Sequence, residues 1–83
     1  MTLTEIVASE LRAIRAKNKY SIVEVSNISG VNKDTISNYE NAKCKMHIDT
    51  LSKIIKANNV SLTIFFAEID DRMQNLFALE KEE

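Results

Sequence analysis

One glycine, Gly30, and no proline punctuate the whole 83-residue chain. Glycine and proline are the strongest local breakers of regular structure, so a chain this poor in them must turn mostly at helix caps. Around Gly30 the caps are legible. Ser21 and Glu24 stand at capping-box spacing upstream, and Asn32 is an N-cap residue downstream. Two short helices joined tightly need one residue that takes positive φ without steric cost, and glycine does this most cheaply. The stretch therefore predicts a helix-turn-helix, with Val25 and Ile28 facing inward from the first helix and Ile36 and Tyr39 from the second.

The flanking sequence extends the same pattern. Thr2 and Glu5 form another capping box, followed by Ile6, Val7, Leu11 and Ile14 at helical intervals, which predicts a helix from about Leu3 to Lys17. Beyond a polar loop from Asn41 to Met46, Leu51, Ile54 and Ile55 share one face of a helix from about Ile48 to Ala57. Asn58 and Asn59 can close it with a left-handed residue. Ser61 opens a last helix with no breaker behind it. No strand-like alternation or repeat interrupts the series, so the fold class is all-α with five helices.

At 9.4 kDa the chain makes one domain with a small core. Its formal net charge of −1 hides an uneven distribution: residues 61–83 set Arg72 and Lys81 against six acids, and the first sixty residues are mildly basic. A polyanionic partner is thus compatible with the chain, because local charge decides. Glu5 interrupts the opening segment and no long apolar run follows, so neither a signal peptide nor a membrane span is expected, and the location expected is cytoplasmic. Cys44 and His47 are single residues of their types. Two ligands do not make a structural zinc site, and nothing supplies an oxyanion hole, so no metal, cofactor or catalysis is expected.

The runs LRAIRAKNKYSI, EVSNISGVNKDTISNYENAK and TLSKIIKANNVSL give the chain, from Leu11 to Phe65, a resemblance to the lambda-repressor-like helix-turn-helix family of Cro and phage repressors. Arg15, the Ser21 cap, Gly30-Val31-Asn32, the pair Ile36-Ser37 and Glu40 carry it. The resemblance implies a DNA-binding domain over residues 1–66, with its motif at about 21–41 and a helical extension over 67–83. It implies an ion pair between Arg15 and Glu40 and a turn at Gly30. It also implies a third helix in the major groove, with Lys33, Asp34, Thr35 and Asn38 reading bases. In such a pose Asn38 suits adenine, Lys33 guanine or a phosphate, Thr35 the thymine methyl, and Asp34 a cytosine amine. Ser21, Asn32, Ser37, Asn41, Lys43 and Lys45 would contact phosphates. Three positions depart from the family pattern: Ile22 replaces a common glutamine, Ala42 a glycine, and Met46 a proline.

In the last helix Leu62, Phe66, Ile69, Met73 and Leu76 follow alternating spacings of four and three, with Phe65 and Phe77 widening the stripe. The domain expected here leaves little to cover that stripe, so Phe66, Ile69, Met73, Leu76 and Phe77 are expected to form a dimer or partner surface. The resulting expectation is a transcriptional regulator, a repressor in particular, holding a palindromic operator in double-stranded DNA as a homodimer. The alternative is an interaction module of the same fold, an antirepressor or antitoxin, whose C-terminal helix binds another protein.

Overall fold

The computed structural model describes the backbone of residues 1–81 and the side chains of residues 1–76 and 78. Five helices follow in order: α1 (Leu3–Asn18), α2 (Ile22–Ser29), α3 (Lys33–Glu40), α4 (Ile48–Ala57) and α5 (Leu62–Lys81). Two of them start on reciprocal capping boxes. Thr2 Oγ1 accepts from Glu5 N at 3.2 Å while Glu5 Oε1 accepts from Thr2 N at 2.9 Å, and Ser21 and Glu24 repeat the arrangement at 3.0 Å in each direction.

Left-handed residues end the helices where breakers are scarce. Gly30 closes α2 at φ 77, as the sequence predicts, and Lys19 closes α1 at φ 59. After α4 the left-handed residue is Asn59 at φ 61, while Asn58 stays at φ −90. Ala42 sits at φ 53 just beyond α3, a conformation that crowds its Cβ.

The core is continuous. Ile6, Leu11, Val25, Ile36, Ile54, Ile55 and Phe65 are almost wholly buried, drawn from all five helices. Asn58 is buried with them and ties helix ends together: its Nδ2 donates to Ile54 O at 2.9 Å, and its carbonyl accepts from Asn18 Nδ2 at 2.6 Å. The turn between α2 and α3 is fixed from inside, because Ser26 Oγ donates to Val31 O at 2.6 Å.

The stripe on α5 requires a correction. The helix is unbroken across position 66 and runs back along α1, where Arg72 reaches Glu10 and Ser9 at 3.3 Å each. Ile69 is consequently only 4% exposed and belongs to this chain's own core, and Met73 and Leu76 are half-buried against it. Of the expected partner surface, Phe66 stays exposed, and the side chain of Phe77 lies outside the described residues. The stripe does lie along one side of α5, and α1 covers it at Ile69. No helix among the described residues is long and apolar enough to cross a membrane.

Candidate nucleic-acid interface

The third helix separates its two faces cleanly. Ile36, Tyr39 and Glu40 turn inward, while Lys33, Asp34 and Asn38 are exposed and Thr35 is half-buried. Asp34 and Asn38 lie one turn apart and so share a face, with Lys33 beside them at the helix start. Asn32 begins the helix by accepting from Asp34 N at 2.8 Å. The side chains of Lys33 and Asn38 make no hydrogen bond or ion pair among the described residues, which leaves their donors directed to solvent.

What holds that helix in place comes from α1. Arg15 Nε donates to Glu40 Oε2 at 2.8 Å and Arg15 Nη2 to Oε1 at 2.9 Å, a planar two-point fork on a buried carboxylate. Hydrogen bonding to Glu40 raises the Arg15 pKa above its ordinary value, against the opposing effect of burial. Arg15 Nη1 donates to Tyr20 O at 3.0 Å as well, so one guanidinium fastens the α1–α2 connection and the end of α3. Arg12 Nη1 donates to the main-chain carbonyl of Glu40. That carbonyl belongs to the last residue of α3, where helix carbonyls have no partner of their own. The contact from Arg12 was missed in the sequence, although its position one turn before Arg15 offered the signal.

The expected phosphate contacts divide into groups. Asn32 and Ser21 spend their side-chain oxygens on caps, though the Ser21 hydroxyl can still donate outward. Asn41 Nδ2 donates to Ser37 O at 2.8 Å and lies 3.5 Å from Ser37 Oγ, so those two side chains finish α3 together. Lys43 and Lys45 are exposed on the loop, and Lys45 edges an apolar groove shared with α1, α4 and α5. The loop is anchored by Tyr39, whose buried ring leaves its hydroxyl oxygen to accept from His47 N at 2.8 Å.

The N-terminus of α2 is a poorer anion seat than expected. Its capping box occupies the amides of Ser21 and Glu24 and brings the Glu24 carboxylate to the helix start. Val23 beside it is 53% exposed, and Ile22 packs against the core. Cys44 is exposed, and among the described residues no three of His, Cys, Asp and Glu gather as a metal site would require.

A family model described as helix-turn-helix matches residues 11–65. Among solved structures, the wild-type restriction-modification controller protein C.Esp1396I aligns with a TM-score of 0.83 at 21% identity, over 90% of this chain and 97% of that one. The tetramer of the same controller in complex with its natural 35 base-pair operator gives 0.80 at 22%, over 86% of this chain and 93% of that one. The clp gene regulator ClgR from Corynebacterium glutamicum gives 0.81 at 22%, over 98% of this chain and 86% of that one. At such identities the likeness is one of fold. No curated protein sequence matches the chain.

Proposed function

Since the chain belongs to the Cro/C1-type helix-turn-helix family of DNA-binding regulators, we propose that it recognises a specific duplex sequence as a homodimer and represses transcription by occupying a palindromic operator. The observation that carries this reading is the exposed, unengaged face of Lys33, Asp34 and Asn38 on a helix clamped from behind by Arg15. A rigid helix with free polar termini on one face is what direct readout needs, because each good base contact discriminates only when its geometry is held. Lys43 supplies a phosphate contact from the loop, and Ser21 a weaker one. The controller protein C.Esp1396I is known bound to its operator, which favours double-stranded DNA as the partner here and the cytoplasm as the place. Catalysis has no part in this reading.

Two protomers would present their recognition helices about one DNA turn apart, ~34 Å, so each half-site would be read once. Selection from random duplex DNA with the purified protein, followed by salt titration of the enriched site, tests the proposal. Enrichment of an inverted repeat that a Lys33→Ala/Asn38→Ala variant no longer selects is the expected result; absence of any enrichment from folded protein overturns it. The second reading, an antirepressor or antitoxin, draws on Val23, 53% exposed in the first turn of α2, an apolar group where a DNA backbone would approach. That outcome would accompany a failed selection.

A further inference from the structure

A cleft of about 340 Å³ opens where the end of α1 meets the α4–α5 turn and the start of α5. Its body is apolar: Ile14, Val60 and Phe65 line it, and Ile64 stands at its edge, 66% exposed. The volume lies in the range of small-ligand sites, which pair an apolar lining with a few polar groups that fix orientation.

One of its lining residues is incompletely bonded. Asn58 is 1% exposed, and its Oδ1 has no hydrogen-bond partner among the described residues. Turning the amide round does not cure this. Nδ2 donates to Ile54 O at 2.9 Å, and a flipped amide would set two acceptors against each other. That carbonyl needs the side chain, because the Asn58 main-chain N–H turns to Ile55 O instead. One end of the amide therefore finishes α4, and the other serves nothing in the chain. Asn18 is fixed in the same way, its Nδ2 donating to Asn58 O at 2.6 Å while its Oδ1 is unengaged among the described residues. A buried polar atom without a partner costs stability, and a bound water or ligand is the usual remedy. Asn58 Oδ1 is covered in this conformation, so a donor reaches it only when a lining side chain shifts.

The charges at the cleft narrow the choice of ligand. Glu10 is taken by Arg72 at 3.3 Å, whereas Lys17 and Glu68 are exposed and make no ion pair among the described residues. A simple amine would satisfy the oxygens but meet Lys17 as a like charge. A simple acid would suit Lys17 and leave every oxygen without a donor. A zwitterion answers both, and the three N–H groups of its ammonium match in number Asn18 Oδ1, Asn58 Oδ1 and the Glu68 carboxylate.

We infer that the cleft binds a free amino acid with an apolar side chain. Its ammonium donates to the two asparagine oxygens and Glu68, its carboxylate faces Lys17, and its side chain lies against Ile14, Val60 and Phe65. The inference stands on the protomer fold and is independent of DNA recognition.

The test adds L-leucine, L-valine or L-phenylalanine at about 10 mM to the full chain without DNA, and reads thermal unfolding and amide chemical shifts. At least one is expected to raise the melting temperature and to move the side-chain amide resonances of Asn18 and Asn58. For leucine, 3-methylbutylamine and 4-methylpentanoate keep the apolar body and remove one charge each, and both should bind more weakly. Lys17→Met and Glu68→Gln exchange exposed residues for good helix formers, so folding is retained, and each should weaken binding about fivefold. Binding that these variants leave intact overturns the role of the two charges. Shifts elsewhere that spare Asn58 overturn the role of its oxygen. If none of the three amino acids binds, the site is overturned, and a long-lived water seen beside the Asn58 amide would then account for its oxygen.

Discussion

Arg15 meets Glu40 as a fork, Nε and Nη2 donating to separate carboxylate oxygens at 2.8 and 2.9 Å across 25 residues of chain. The Glu40 side chain is 4% exposed and that of Arg15 24%, so the pair is largely withdrawn from water. Removing one partner leaves the other's charge or hydrogen bonds unmet, and Glu40→Ala or Arg15→Ala should cost about 3 kcal/mol in urea unfolding. Replacing both, as in Arg15→Met/Glu40→Leu, should cost much less than the sum of the two. An additive double variant would mean that the two side chains stabilise the fold independently.

Arg12 adds a hydrogen bond to the Glu40 carbonyl, and Arg12→Ala should cost about 1.5 kcal/mol, as loss of a charged hydrogen bond does. Urea unfolding checks the magnitude. Arg12→Lys should recover part of it, because an ammonium can still reach a carbonyl even though it cannot fork.

Ala42 holds φ 53 where the related sequence pattern has glycine. An L-residue in that region pays a steric cost that glycine avoids, partly offset by the greater freedom glycine gains in the unfolded chain. Ala42→Gly should therefore raise stability by about 0.5–1 kcal/mol, and Ala42→Val should lower it, both read from denaturant midpoints at constant slope.

That position also shows how much of the molecule was legible in its sequence. The family resemblance marked alanine in a glycine site, and both capping boxes, the Gly30 turn and the helix order could be read directly, because each rests on residues close together in the chain. The cover over Ile69 was not legible, since it depends on where α5 lies against α1, and that packing joins residues far apart in sequence. The groove that Lys45 edges was hidden for the same reason: Leu3, Ile48 and Phe66 look like separate ordinary apolar residues until three helices bring them together. Within the candidate interface, the inward side of α3 at Ile36 and Tyr39 followed from the sequence pattern, whereas Lys33, Asp34 and Asn38 came from the family resemblance. The side chains of Asn32, Ser37 and Asn41 were harder to place, because the same polar groups serve equally as caps or as phosphate ligands.

Lys33 and Asn38 should fail in different ways if they meet DNA as proposed. Asn38→Ala should cost about 1–3 kcal/mol at one position of the selected site and relax the preference there. Lys33→Ala, if its partner is a phosphate, should weaken binding to all sequences alike and reduce the salt slope by roughly one. Fluorescence anisotropy at several salt concentrations separates the two patterns. Equal losses on every sequence from both variants would remove Asn38 from base reading.

Glu5 accepts from Thr2 N at 2.9 Å, and that hydrogen bond lowers its pKa from the ordinary value of 4.5. A carboxyl more acidic in the folded than the unfolded chain contributes stability in full above its unfolded pKa and loses it as pH falls through the lower folded value. Glu5→Gln should therefore show a flatter stability curve than the parent below pH 4.5. Parallel curves over that range would mean that the capping box does not carry the shift.

Ile69 decides between the two accounts of α5. If it belongs to the protomer core, Ile69→Ala removes buried methylenes and opens a cavity inside each chain, at a cost of about 3 kcal/mol. That loss should appear as the same fall in melting temperature at every protein concentration, because no second chain fills the space. Were Ile69 part of an interface, the variant would lower the dimer's melting temperature most where dimer predominates, and would converge with the parent on dilution. If Phe66 lies on the proposed dimer surface, Phe66→Ala should behave in this second way, since Phe66 is exposed on the protomer and rests there edge-on against Phe65. The two residues lie three apart on one helix. A concentration series on both variants therefore locates the boundary between core and contact surface along α5, and matching behaviour of the two would erase it.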